Sequence, residues 1–247
     1  MKIIKDLIQG TPEWHNERRC MVTGSKMDNV MGSNLEQIML ICELIAEELT
    51  EQSKAFKETA EMQRGTEEEF FARKHFEKKT KKTVREIGFC KSDEYSYLGV
   101  SGDGWIENNG ILDEAIEIKC PDSKQSVFYK LSDTLSATEL GLGSWSAITK
   151  ANPEPVFKPS AKAPFLGIPA QYVWQVITYF MVNEKLQKLN FAVYDARFID
   201  EEMKMHIVVL DRNNELVQNK IKEAFAGLVE FRTLWLKCRE SVIINKF

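Results

Sequence analysis

Apolar residues recur along this chain with two different periods, and the places where the period changes mark the elements. Ile38, Ile41, Leu44, Ile45 and Leu49 stand at helical spacing, which predicts a long amphipathic helix over residues 34 to about 58. A second helix is expected over about 61–79, with Phe70, Phe71 and Phe76 as its apolar contacts. The pattern then becomes that of strands, expected at Thr83 to Cys90, Tyr95 to Val100, Gly104 to Glu107 and Ala115 to Cys120. Turns at Lys91 to Glu94 and Asn108-Asn109-Gly110 make these an antiparallel meander. Short helices are expected over 123–131 and about 133–140. Helical spacing returns from Gln171 to Val182, followed by strands at Leu189 to Tyr194 and Met205 to Leu210. Asn213 to about Arg239 reads as an amphipathic closing helix.

Turn and cap residues refine this outline. Thr11-Pro12-Glu13-Trp14 is a helix start, with Thr as N-cap and Pro in the first turn. Thr23-Gly24-Ser25 is a second start, leading into Lys26 to Met31 and stopped by Gly32. Five of the seven prolines fall between Lys150 and Pro169, which predicts an exposed loop of the kind that grips substrate. Helix and strand signals resume after it, so a loop within one sheet is expected rather than a linker. The expected fold class is α/β, a mixed central sheet flanked by helices, in a single domain over residues 1–247.

Composition narrows the class of protein. Hydrophobic residues make up 43% and charged residues 28% of 247, values of an ordinary soluble globular chain. No apolar run approaches the length of a membrane span, and Met1 to Gln9 lacks a signal-peptide core. Cys20, Cys42, Cys90, Cys120 and Cys238 are an odd number without a C-x-x-C pair, which points to reduced thiols in a cytoplasm. His15, His75 and His206 are too dispersed to form a local ligand motif, an argument against a zinc hydrolase. A net charge of −4 argues against coating nucleic acid by bulk positive charge but leaves room for a local basic groove. Lys78, Lys79, Lys81, Lys82 and Arg85 could contact phosphates or could form a solvated helix end.

The candidate chemistry lies in Ser101-Gly102-Asp103-Gly104 and Glu114 to Cys120. Alternation sends Glu117 and Lys119 to one strand face and Ile116 and Ile118 to the other. An acid and an amine one pleat apart suit phosphodiester hydrolysis, the acid holding a divalent metal and the amine a water or developing negative charge. Asp103 arrives from the preceding strand across a tight turn, and its flanking glycines allow a sharp bend and close approach of a ligand. Hard cations such as magnesium take oxygen ligands and keep several waters, so two or three carboxylates suffice. An isolated Glu-x-Lys is far more often an ordinary solvated stripe.

The spacing Asp-x13-Glu-x-Lys resembles the active site of the PD-(D/E)-x-K nuclease superfamily, and within it the phage lambda exonuclease (YqaJ-type viral recombinase) family. Trp14-His15-x-x-Arg18 with Val22-Thr23-Gly24-Ser25 resembles that family's opening motif, and Gly65-x-x-x-Glu69 its helical carboxylate motif. Ser101 to Gly104 and Glu117-Ile118-Lys119-Cys120-Pro121 resemble its catalytic hairpin, with Gly102 standing where the superfamily name expects Pro. Gln171 to Val182 and Tyr194-Asp195-x-Arg197 resemble its later helix and strand, so the resemblance spans roughly residues 9 to 230.

The resemblance implies a restriction-endonuclease-like core and the following site. Asp103, Glu117 and the Ile118 carbonyl hold divalent ions, Mg²⁺ or Mn²⁺ and two per site, with Glu69 joining them directly or through water. Glu69 is preferred to its neighbour Glu68 because it stands four residues after Gly65. Lys119 handles the attacking water, Gln175 sits beside the centre, and Arg18, Ser25 and Ser101 hold a terminal 5′-phosphate. The implied activity is 5′-to-3′ digestion of double-stranded DNA to 5′-mononucleotides, leaving a 3′ single strand. The implied context is a phage- or prophage-encoded protein in the bacterial cytoplasm, a homotrimeric ring working with a single-strand annealing protein. An endonuclease of the same superfamily and a non-catalytic DNA-binding or protein-interaction module are the alternatives.

Overall fold

A computed structural model describes residues 1–4, 6–53, 59–134 and 164–244. Its centre is a seven-stranded sheet formed by β1 (Lys2–Ile4), β2 (Val22–Thr23), β3 (Arg85–Lys91), β4 (Leu98–Asn108), β5 (Ile111–Lys119), β6 (Lys188–Tyr194) and β7 (Met205–Asp211). The order is β1-β3-β4-β5-β6-β7, with β2 pairing β4 from the side. The pairs β5–β6 and β2–β4 are parallel and the others antiparallel, so the sheet is mixed as expected. The helices are α1 (Pro12–Glu17), α2 (Met27–Val30), α3 (Asn34–Thr50), α4 (Ala60–Thr80), α5 (Ser123–Thr134), α6 (Ala170–Val182) and α7 (Glu215–Ile244).

Local chemistry accounts for most boundaries. The side chain of Thr11 accepts a hydrogen bond from the Trp14 amide and starts α1. Ser33 and Glu36 form a reciprocal capping box at the head of α3. That helix ends at Thr50, short of the expected 58, where Glu51 turns left-handed (φ 54°). Asn109 and Gly110 both have positive φ (52° and 79°), which suits the tight turn joining β4 to β5.

Three expectations are corrected. β4 is one continuous strand, not two strands interrupted at Asp103. Gly102 and Gly104 are there for packing: a side chain would meet Tyr179 Cε1 at 2.9 Å and Val84 Cγ1 at 2.1 Å respectively. Second, α5 runs unbroken to Thr134; the helix expected over 133–140 lies almost wholly outside the described residues. Third, the proline-rich segment is not an exposed loop throughout. Residues 150–163 lie outside the described residues, but Phe165 and Ile168 are buried in the core and anchor the approach to α6.

The sheet separates two apolar layers. One contains Ile41 and Leu44 of α3, Val173, Ile177 and Phe180 of α6, and Leu228 and Phe231 of α7. The smaller layer joins Ala72 and Phe76 of α4 to Ile106, Ile116, Ile118 and Ala192 of the sheet. Strand alternation decides the rest: Ile116 and Ile118 pack toward α4, which sends Glu117 and Lys119 toward α6.

Candidate active site

The hairpin register brings the acids together. Gly104 pairs with Ile116 across β4 and β5, and one step further Asp103 meets the Glu117–Ile118 peptide. The Ile118 amide donates to Asp103 Oδ2 at 2.6 Å. Glu117 is 1% exposed, and a bare carboxylate at that depth would cost several kcal/mol. Three donors offset the burial. Lys119 Nζ and Gln175 Nε2 each donate to Glu117 Oε1 at 2.6 Å, and the Tyr179 hydroxyl donates to Oε2. Gln175 and Tyr179 stand one turn apart on α6, so one helix face supplies both. The Lys119 ammonium also lies 4.7 Å from the centre of the Tyr172 ring.

The electrostatics of this cluster are those of an acid-rich site. Burial pushes the Asp103 carboxyl well above the usual Asp range, and the neighbouring Glu117 and Glu69 charges push it further. Burial would lower the Lys119 pKa, but Glu117 and Asp103 more than offset that and raise it, keeping the amine charged. Burial also raises the Tyr179 hydroxyl well above its ordinary value, with Glu117 adding to the effect, so it remains a donor.

Glu69 comes from α4 and lines the same cleft as Asp103, a space of about 1000 Å³ that Trp14 and Arg73 also border. Burial raises its pKa; Arg73, 3.6 Å away, opposes the rise and Glu117 adds to it. Arg73 also donates to Glu86 at 2.9 Å and to the Asp103 carbonyl at 3.4 Å. Glu68 points elsewhere, into a two-pronged contact with Arg64 at 3.0 and 3.1 Å. The geometry therefore favours Glu69 as the helical carboxylate facing the site. Among the described residues no three His, Cys, Asp or Glu side chains are grouped closely enough to hold a metal ion; Glu117 is held by its three donors and Glu69 by Arg73. The donor set nevertheless fits a hard divalent cation: oxygen ligands, carboxylates whose proximity raises the pKa of Asp103, and an open cleft beside them.

A second group lies beside the first. The Arg18 guanidinium stacks on the Trp14 ring, 3.7 Å from its centre, and Trp14 Nε1 donates to Ser101 Oγ at 3.0 Å. Burial lowers the Arg18 pKa to about 10 against a smaller opposing effect of Glu47, and among the described residues its buried Nε has no acceptor. β2 brings Ser25 close, because Thr23 pairs with Gly99 in parallel register two residues before Ser25 and Ser101. The start expected at Thr23-Gly24-Ser25 is a 3₁₀ turn, Gly24–Lys26, in which the Ser25 hydroxyl lies 3.2 Å from Thr23 Oγ1.

Sequence reasoning missed Tyr179, Tyr172, Arg73 and the bridging role of Trp14. Two of these had a signal, since Tyr179 follows Gln175 by four residues and Arg73 follows Glu69 by four. Neither reading of the lysine cluster after α4 anticipated the ion pairs that three of its members make. Lys79 meets Glu202 at 2.6 Å, Lys82 meets Glu114 at 2.5 Å and Arg85 meets Glu107 at 3.3 Å.

Fold and site together define an α/β protein built on a mixed sheet, with its candidate acids and lysine on a central hairpin. Residues 13–185 match the model of the YqaJ-like viral recombinase domain, more than half of the chain, and the chain belongs to that family. Among solved structures it is similar to the alkaline exonuclease LHK-Exo from Laribacter hongkongensis, at 24% identity and a TM-score of 0.65, over 94% of this chain and 98% of that one. The LHK-Exo complex with dAMP matches at the same values. A phage-related exonuclease from Haemophilus somnus 129PT matches at 15% identity and a TM-score of 0.51, over 92% and 96% of the two chains. No curated protein sequence matches the chain. Among the described residues no helix is long and apolar enough to cross a membrane.

Proposed function

We propose that this protein is a metal-dependent 5′-to-3′ exonuclease acting on double-stranded DNA ends, releasing 5′-mononucleotides and leaving a 3′ single strand. The observation that carries the reading is the meeting of Asp103, Glu117 and Lys119 beside an open cleft lined by Asp103 and Trp14, with the half-buried Arg18 stacked on Trp14. Asp103, Glu117 and the Ile118 carbonyl, with Glu69, would hold divalent ions, Mg²⁺ or Mn²⁺ and two per site, which when bound stabilise charge on the attacking and leaving oxygens.

The chain's own residues do the rest. Lys119 stays protonated beside Glu117 and holds the attacking water by donating to it, while Gln175 and Tyr179 keep the Glu117 carboxylate from rotating. Arg18 offers its unpaired Nε to a terminal 5′-phosphate, with the Ser25 and Ser101 hydroxyls as further partners. Charge-assisted contacts of this kind are stronger than neutral ones, so a phosphorylated end is preferred. An endonuclease has no terminal phosphate to hold, and Arg18 favours the exonuclease for that reason.

The proposal extends to the setting that family membership suggests: a phage- or prophage-encoded protein in a bacterial cytoplasm, assembled as a homotrimer and paired with a single-strand annealing protein. Digestion of end-labelled linear duplex with Mg²⁺ tests the central reading. Loss of label as mononucleotide from 5′-phosphorylated ends is expected, with no digestion after chelation by EDTA. Equal rates on 5′-hydroxyl ends together with cutting of closed circles would establish the endonuclease instead.

A further inference from the structure

A second cavity, of about 580 Å³, shares α1 with the catalytic cleft but none of its lining residues. It lies between the ends of α1, α3 and β3, the approach to β4, and the last turns of α7. Its charged side chains are four cations, Arg19, Lys91, Arg232 and Arg239, against two acids, Glu17 and Glu48, in a chain whose net charge is −4. Both acids are already engaged. Lys91 pairs with Glu17 at 2.5 Å, and Arg239 Nε donates to the two Glu48 oxygens at 2.7 and 2.9 Å.

Arg232 is different. Its guanidinium carbon lies 4.2 Å from the centre of the Trp235 ring and 4.7 Å from that of Tyr97, and among the described residues no acceptor takes a hydrogen bond from it. Ring contacts use the flat face of a guanidinium and leave its N–H edges for an acceptor in the plane. Beside it, the indole N–H of Trp235 is buried and has no acceptor among the described residues either. Buried donors are nearly always satisfied, so the unpaired indole calls for an explanation; the half-exposed Arg232 guanidinium beside it, whose charge also acts on Glu48, keeps N–H edges open to solvent.

We propose that this cavity binds a phosphate group, with Arg232 as its principal ligand, Arg19 as a second cation and Trp235 Nε1 as a neutral donor. A tetrahedral anion offers several oxygens in different directions, and that matches a set of donors drawn from different elements. The phosphate can belong to a mononucleotide or to the backbone of a DNA duplex. The site stands on its own residues and does not depend on the reading of the catalytic cleft.

The test titrates the full-length protein with inorganic phosphate while following the ¹⁵N-labelled indole N–H signals, that of Trp235 being assigned with Trp235→Phe. The Trp235 signal is expected to shift and saturate. Arg232→Gln should weaken binding by about tenfold or more and Arg232→Lys should restore part of it. Arg19→Gln should weaken it independently, which covers the case of an Arg232 variant that does not fold. A Trp235 signal that ignores phosphate, or an affinity unchanged by both Arg232→Gln and Arg19→Gln, overturns the proposal and reduces the ring stack to cement between α7 and β4. Competition by a deoxynucleoside monophosphate identifies a nucleotide as occupant; competition only by a blunt 5′-hydroxyl duplex identifies the DNA backbone.

Discussion

The hydroxyl of Tyr179 donates to Glu117 Oε2 while Gln175, four residues earlier on the same helix, donates to Oε1. Both Tyr179 and Glu117 are buried, so water cannot replace either bond without entering the core. Tyr179→Phe keeps the ring and deletes only the donor. A hydrogen bond to a charged group is worth about 1.5–3 kcal/mol, so single-turnover cleavage is expected to fall roughly 10- to 100-fold while duplex binding is unchanged. Cleavage at the wild-type rate would show that Gln175 and Lys119 alone hold Glu117.

Lys119→Ala removes the amine that bonds Glu117 and faces the site. Positioned proton-transfer and water-orienting groups contribute about 10²–10⁴-fold, so cleavage should become barely detectable. Gel-shift measurements of duplex binding without metal should match the parent protein, and retained turnover would remove Lys119 from the chemistry.

Arg18→Ala deletes the half-buried cation that lies against Trp14. The loss should appear on 5′-phosphorylated duplexes, at roughly 10- to 100-fold in kcat/KM, and be much smaller on 5′-hydroxyl duplexes. Comparing the two substrates in one assay reads it directly; an undiminished preference for phosphate would make Arg18 a packing residue.

Asp195 and Arg197 tie β6 to the end of the catalytic strand. Arg197 donates to Asp195 at 2.7 and 2.9 Å and to the Pro121 carbonyl at 3.0 Å, two residues beyond Lys119. Burial pushes the Asp195 carboxyl up, but hydrogen bonds from Arg197 and Ser123 outweigh it and leave the pKa below the ordinary Asp value. A depressed folded-state pKa stabilises the protein above the unfolded value of about 3.9 and ceases to do so as pH falls through the folded value. Asp195→Asn should therefore lower Tm at pH 7, with the gap to the parent protein closing as the pH is lowered through that window. A gap independent of pH would show that the charge on Asp195 contributes nothing.

Much of this was written in local patterns. The alternation around Glu117 correctly predicted that its side chain and Lys119 leave Ile116 and Ile118 on the opposite face, because a strand's period is two whatever it packs against. Cap and turn signals at Thr11 and at Asn109-Gly110 depend only on neighbouring backbone groups, and they too were legible. The family motifs pointed to Glu69, Asp103 and Gln175, residues that converge only across separate elements.

The sequence by itself determined the two faces of β5, the main helices and the set of acids and amine offered to the site. Tertiary structure alone decided how those groups are held: Tyr179 against Glu117, Arg73 against Glu69, Trp14 between Arg18 and Ser101, and the glycines beside Asp103 as packing positions instead of a turn. The physical reason is range. Periodicity and capping act over one or two turns of chain, whereas a hydrogen bond such as that between Tyr179 and Glu117 joins residues 62 positions apart and forms only when the sheet and helix have packed.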